Sequence, residues 1–250
     1  MRLLVYNING GNADRIESIY DVLTHAHADV IALTEANNEN AIKQLAARLK
    51  FNFVWQRGSG DRHVATLSRY PVIESFIHRV PPLTQAALET VLQLPNERIR
   101  IFNLHLLPYL LLPFEIRRWQ AVGKLLEIIR SREVMPTLIV GDLNAIAPKD
   151  RVLQHLNPPR MRRVMALQFN VVFHFAVSRL LKAGYTDCYR RLHDDDGFTW
   201  MTDNRTTRYD YVMADSAMAS RLKLCCVMDD VEAINMASDH LPLMAEFDIP

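Results

Sequence analysis

Residues 136 to 146, PTLIVGDLNAI, pass from an apolar run straight into a carboxylate and a carboxamide, Asp142 and Asn144. Leu138, Ile139 and Val140 have the character of a strand covered on both faces, and Gly141 ends the run. Side chains alternate along a strand, so two polar groups spaced two residues apart can point the same way. Similar groups close other apolar runs. LLVYNIN reaches Asn7 and Asn9, VIALTE ends at Glu35, and IRIFNLH ends at His105. TRYDYVM places Asp210 near Arg208, and ASDHLPL sets Asp239 and His240 immediately ahead of the last apolar segment.

Each of these residues has an ordinary explanation when taken singly. Asn7 or Asn144 suits a turn, Glu35 a solvated strand end, and His105 a core imidazole with its hydrogen bond satisfied. Asp210 could be neutralised by Arg208, and Asp239 could cap local backbone. Six strand ends carrying such groups are harder to explain one at a time. If the ends converge, their carboxylates cannot all stay ionised without a counter-charge. Oxygen donors such as Asn7, Glu35 and Asp239 suit Mg²⁺, with Mn²⁺ as a substitute, and no Cys/His spacing for zinc is present. The histidines are then left to act at phosphate oxygens or at the nucleophile.

Strand-like and helix-like patterns alternate in the first fifty residues. RLLVYNI is followed by Ile16, Ile19, Tyr20 and Leu23 on one helical face; DVIALTE is followed by Ile42, Leu45, Ala46 and Leu49 on another. Residues 51 to 105 read as short strands separated by turns. A long helix then opens at Pro113, with Trp119, Val122, Leu126 and Ile129 expected inward. Residues 149 to 183 read as largely helical, and the chain returns to strands around YDYVM, KLCCVM and LMAEFDI. Many strands with a few interleaved helices predict two packed sheets with helices outside.

The chain has 250 residues, 49% of them hydrophobic, which suits one domain spanning residues 1–250. A formal net charge of +1 excludes the strongly basic type of nucleic-acid binder. Cys188, Cys225 and Cys226 offer neither a disulfide framework nor a zinc pattern, so a reducing, cytoplasmic setting is expected. MRLLVYNINGG reads as a first strand rather than a signal peptide, and no stretch is apolar enough to insert stably in a membrane.

VYNIN, ALTE, VATLSRYPV, NLHLLP, VGDLNA, GFTW, RYDYVM and SDHLPL, in this order between residues 4 and 243, resemble the endonuclease/exonuclease/phosphatase superfamily of deoxyribonuclease I-like and exonuclease III-like enzymes. The resemblance implies an α/β fold, a four-layered sandwich of two mainly antiparallel sheets flanked by helices. It implies that Asn7 and Glu35 hold Mg²⁺ with Asp239 beside them, and that His105 contacts the scissile phosphate. Asp142 and Asn144 match the pair that positions the attacking water, His240 the catalytic histidine, and Asp210 the aspartate that orients it. Two departures stand out: Asn9 occupies a position where exonuclease III-type enzymes carry aspartate, and NLHLLP replaces their tyrosine-containing segment. The histidine version is similar to the deoxyribonuclease I, sphingomyelinase and general phosphodiesterase branches.

Residues 158–182 are the least family-like part. They open with Arg160, Arg162 and Arg163 and continue in a long apolar stretch. Packing on the core is the favoured reading, with a dimer contact in an otherwise monomeric protein, or a flap touching lipid or nucleic acid, as alternatives. Trp200, Arg205 and Arg208, together with the three arginines, are the expected contacts to a nucleic-acid substrate. The sequence thus predicts a Mg²⁺-dependent phosphodiester hydrolase, a nuclease acting on DNA or RNA. The alternatives are a phosphatase or phosphodiesterase for a phospholipid or small phosphorylated molecule, and a catalytically silent binding protein of the same fold.

Overall fold

A computed structural model describes residues 1–249, except for the side chains of Thr84 and Gln85. Among the described residues the strands are β1 (Arg2–Asn7), β2 (Val30–Thr34), β3 (Asn52–Gln56), β4 (Val64–Ser68), β5 (Val72–Val80), β6 (Leu83–Gln93), β7 (Arg98–His105), β8 (Thr137–Asp142), β9 (Thr186–Asp187), β10 (Asp210–Ala214), β11 (Leu222–Val227) and β12 (Leu243–Phe247). They form two six-stranded sheets, ordered β11-β12-β1-β2-β4-β3 and β5-β6-β7-β8-β10-β9. In each sheet a single neighbouring pair is parallel, β1 with β2 and β7 with β8. The other pairs are antiparallel, so the expected mainly antiparallel sandwich is present.

Period-two alternation builds the layers. Leu3, Val5, Val30 and Ala32 turn inward and meet Ile99, Ile101, Leu138, Val140 and Val212 of the other sheet. The residues between them, Leu4, Tyr6, Ile31 and Leu33, turn outward against helices α1 (Ile16–His25) and α2 (Glu39–Leu49). On the far side Phe102, Leu104, Ile139 and Met213 are covered by α3 (Leu112–Arg130) and by α5 (Phe175–Lys182), which follows the short α4 (Pro159–Ala166). Strands buried on both faces explain why their sequences are nearly continuous apolar runs.

Two expectations need correction. Trp119 does not point inward: it is 42% exposed and its ring lies under the Arg179 guanidinium, 4.3 Å from the centroid. The buried face of α3 instead includes a polar pair. Glu115 accepts from Arg118 at 2.9 Å and from the Ala176 amide at 2.8 Å, while Arg118 donates to the Leu107 and Tyr109 carbonyls. Charge at those two positions hides this face from a hydrophobicity pattern. Residues 149 to 183 are also less helical than expected, since α4 and α5 cover only Pro159–Ala166 and Phe175–Lys182, with a short 3₁₀ turn at Gln154–Leu156.

Candidate active site

Sheet register brings the polar strand ends to one place. His105 sits beside Asp142 across the parallel β7–β8 pair, and Asp210 sits opposite Asp142 across β8–β10. From the other sheet comes Asn7, the last residue of β1. Its Nδ2 donates to Glu35 Oε1 at 3.2 Å and to Asp142 Oδ2 at 3.1 Å, and lies 3.5 Å from His240 Nε2. The loop before β12 is tied to the same point. Ser238 Oγ donates to the Asn7 carbonyl at 2.6 Å and accepts from the His240 amide at 3.2 Å.

Local backbone shapes these ends. Asn9, Glu35 and Asn144 adopt left-handed φ values of 46°, 50° and 47°. Asparagine tolerates that region; glutamate seldom enters it, so Glu35 holds its carboxylate at a conformational cost. The Asn144 amide nitrogen donates to Asp142 Oδ1 at 2.8 Å, and its Nδ2 donates to the Leu106 carbonyl at 3.1 Å. This leaves the Asn144 Oδ1 side of the amide for the cleft that it lines.

Burial and charge separate the two histidines. His240 Nδ1 lies 2.8 Å from Asp210 Oδ2, both buried. Burial would lower this imidazole, but the Asp210 charge and hydrogen bond, with Asp142 and Asp239 behind them, raise it to about 10. The charged form of the ring is therefore favoured, with Nε2 4.0 Å from Asp142. Burial, the charge of Arg62 and that of His240 push His105 down to about 3. Its Nε2 lies 3.8 Å from Glu35 and 3.7 Å from Asp142, contacts of a neutral ring rather than ion pairs. Asp142 is raised to about 7, by burial first and then by the Asp210 charge. Glu35 is raised as well, chiefly by burial.

Two acidic groupings could attract a cation. The tightest is Asp142, Asp210 and His240, with ligand atoms within 4.8 Å of one another. Its negative charge is already met by the imidazolium, and His240 Nδ1 is committed to Asp210. Glu35 is the better candidate. It is partly open to solvent and feels the charge of Asp239, which raises it further. Glu35 and Asp239 face one open cleft and are a hard-oxygen pair that fits a divalent cation, whereas Asn7, expected beside them as a ligand, turns its Nδ2 to Glu35 and uses its Oδ1 to accept from the Asn9 amide at 2.9 Å, so it positions the Glu35 carboxylate.

The cleft encloses about 660 Å³ and is lined by Glu35, His105, Asp142, Asn144, Asp239 and His240 at its polar end. Its other wall has Tyr109, Leu110, Met161, Val164 and Trp200, with Arg160 at the margin. Trp200 Nε1 donates to Asp239 at 3.3 Å. Arg162 and Arg163 are exposed on α4 but do not line the cleft. The expectation for Arg208 fails: it is fully buried, bonded to Asp187 at 2.5 Å and to Asp150 at 2.8 Å, with no face for a substrate. Arg205 pairs with Asp229 at 2.7 Å and lines a separate hollow beside Tyr189 and His193. Sequence reasoning missed Arg62, which lines the same cleft as Glu35 and His105 and whose charge reaches both. The glycines of RGSGDRH, directly before a core strand, were the available signal.

Two packed sheets whose central strand ends gather carboxylates, amides and a buried Asp–His pair define an α/β-sandwich protein with a hydrolase-type centre. The model of the Endonuclease/Exonuclease/phosphatase family matches residues 4–240, and the chain belongs to that family. Exodeoxyribonuclease III of Haemophilus influenzae is 31% identical over 123 residues, covering 45% of this chain and 46% of that protein. The match thus spans under half the length of that curated relative. An AP endonuclease from Archaeoglobus fulgidus has the same fold, with a TM-score of 0.75, 17% identity and all of both chains covered. So does a 3′ phosphatase from Neisseria bound to a product DNA hairpin, with a TM-score of 0.73, 19% identity and all of both chains covered. Asn9 and His105 depart from the exonuclease III-type pattern.

Proposed function

We propose that this chain is a divalent-metal-dependent phosphodiester hydrolase acting on nucleic acid. The observation that carries the reading is the buried Asp210–His240 pair, 2.8 Å apart, with His240 Nε2 turned toward Asp142 and Asn7. A carboxylate fixed on Nδ1 holds the ring in one orientation and stabilises its charged form. The imidazolium then faces the place where negative charge grows on a phosphorane. Asp142, raised to about 7, has the proton affinity of a base working near neutrality. Asp142 and Asn144 together would hold a water in line with phosphorus, and neutral His105 would donate to a phosphate oxygen. Glu35 and Asp239, the former steadied by the Asn7 Nδ2, would hold Mg²⁺, which would supply neutralising charge to the phosphate and the departing oxygen.

Nucleic acid is favoured as substrate by the relatives named above and by Arg62 and Arg160 on the cleft. The test is a panel of plasmid DNA, single-stranded DNA, RNA and bis(p-nitrophenyl) phosphate, each with Mg²⁺ or excess EDTA. Hydrolysis of a polynucleotide only with Mg²⁺, lost in His240→Ala, is the expected result. Full turnover in EDTA overturns the metal requirement. Cleavage of the small diester without any polynucleotide overturns the substrate class.

A further inference from the structure

α4 ends at Ala166, and the chain turns back through residues 167–171. The turn is firmly pinned. The Gln168 side chain donates to the Leu110 carbonyl at 2.8 Å and the Val171 carbonyl at 2.7 Å, and accepts from the Leu112 amide at 3.0 Å. The Asn170 amide donates to the Met165 carbonyl at 3.0 Å, and the Asn170 carbonyl accepts from Gln154 Nε2 at 2.8 Å. On either side of Gln168, Leu167 and Phe169 are left 80% and 91% exposed. Phe169 is held there at a φ of 56°. A bulky residue rarely adopts that conformation, and folding alone would favour glycine at the position. An aromatic side chain presented to solvent from a pinned turn, at a backbone cost, points to a ligand.

Its surroundings say which kind. Gln168 joins the tip to the loop that carries Tyr109, and Tyr109 lines the catalytic cleft. Arg160, Arg162 and Arg163 stand on the preceding helix, and among the described residues none of them has a carboxylate partner. We propose that Leu167 and Phe169 form a base-stacking contact for the nucleic-acid strand running out of the cleft, with the α4 arginines on its phosphates. This rests on the nuclease reading above. One aromatic face is enough to stack a base, and guanidinium groups suit phosphate oxygens. Val171 and Leu112, bonded to the same Gln168, and Tyr109 beside them widen the apolar face, so the choice of a nucleic-acid strand rests on the continuity of the tip with the cleft through Tyr109.

The test measures binding without turnover. In EDTA, the whole protein is titrated with a single-stranded oligonucleotide carrying 2-aminopurine, read by fluorescence quenching, with melting temperature as the control for folding. Phe169→Ala and Phe169→Gly should bind on the order of 10-fold more weakly and lose the quenching, while Phe169→Trp retains both. Phe169→Gly should melt no lower than the wild type, because glycine relieves the left-handed strain. Oligonucleotide binding and quenching unchanged in Phe169→Ala overturn the proposal, as does a wild type that binds no oligonucleotide. Loss of binding to phosphatidylglycerol vesicles, with oligonucleotide binding intact, reassigns the tip to membrane. Failure of the nuclease reading appears elsewhere, as wild-type protein that hydrolyses no polynucleotide with Mg²⁺, and the binding comparison still judges the tip.

Discussion

Asp210→Asn removes one charge and almost no volume from the buried pair that orients His240. An asparagine oxygen can still accept from Nδ1, so the ring keeps its place. What changes is its proton. Burial drives His240 downward, and the Asp210 carboxylate is the chief reason that it stands near 10 instead of at or below the ordinary 6.5. Asp142 and Asp239 also favour the charged ring, so the variant loses most but not all of the preference for imidazolium. Only the part expressed between bound substrate and transition state reaches the rate, and positioned acid–base groups are worth about 10²–10⁴-fold. We expect kcat at neutral pH to fall on the order of 10³-fold, with KM within about twofold of the wild type. The assay is initial rates on bis(p-nitrophenyl) phosphate with saturating Mg²⁺ across pH. Variant activity should climb as pH falls toward the new His240 value. The same substitution removes a charge that raises Asp142, so the acid limb should move to lower pH too. A wild-type kcat in the variant would refute the argument. So would a His240 ring that NMR finds still charged at about pH 8.

Glu35→Gln should abolish the rise in melting temperature that Mg²⁺ gives the wild type. The metal-free variant should melt at least as high as wild type, because it no longer sets Glu35 against Asp239; an undiminished Mg²⁺ shift would exclude Glu35 as a ligand. In EDTA, stability should fall as pH rises. The folded state holds the His240 proton more tightly than the unfolded chain, so that contribution is full below about 6.5 and is lost as pH rises through about 10. Asp142 has the same sign but a lower window: with a folded value of about 7 against 3.8, it disfavours the folded state progressively as pH rises from about 3.8 to about 7 and adds little slope above that. Thermal melts that rise between about pH 6.5 and about 9 would contradict a charged His240. Arg208→Ala should cost about 3–5 kcal/mol in urea unfolding, because it strands buried Asp187 without its cation and leaves Asp150 with Arg190 alone. A loss below about 1 kcal/mol would mean that those carboxylates find other partners.

Strand ends were legible because their signal is local. An apolar run that stops at Asn7, Glu35, His105 or Asp142 shows its polar terminus in a few consecutive residues, and alternation fixes which neighbours share a face. The two-sheet architecture follows from the same runs, since strands covered on both sides need layers above and below. Their meeting point is a matter of register. His105 stands beside Asp142, and Asp210 opposite it, through ladders joining segments tens of residues apart. Arginine shows the limit most clearly. Arg208, Arg205 and Arg160 look alike in sequence, yet one is locked in the interior by two aspartates, one is paired over a separate hollow, and one borders the cleft. A cation's role depends on which carboxylates the rest of the chain delivers to it, and Asp150, Asp187 and Asp229 reach these arginines only through tertiary packing. Arg62 and Phe169 owe their surroundings to the same long-range packing, while the Glu115–Arg118 pair, one helical turn apart, escaped because its charge masks a buried face. Composition and spacing set which groups the chain can offer; long-range packing decides their solvent, their partners and so their charge.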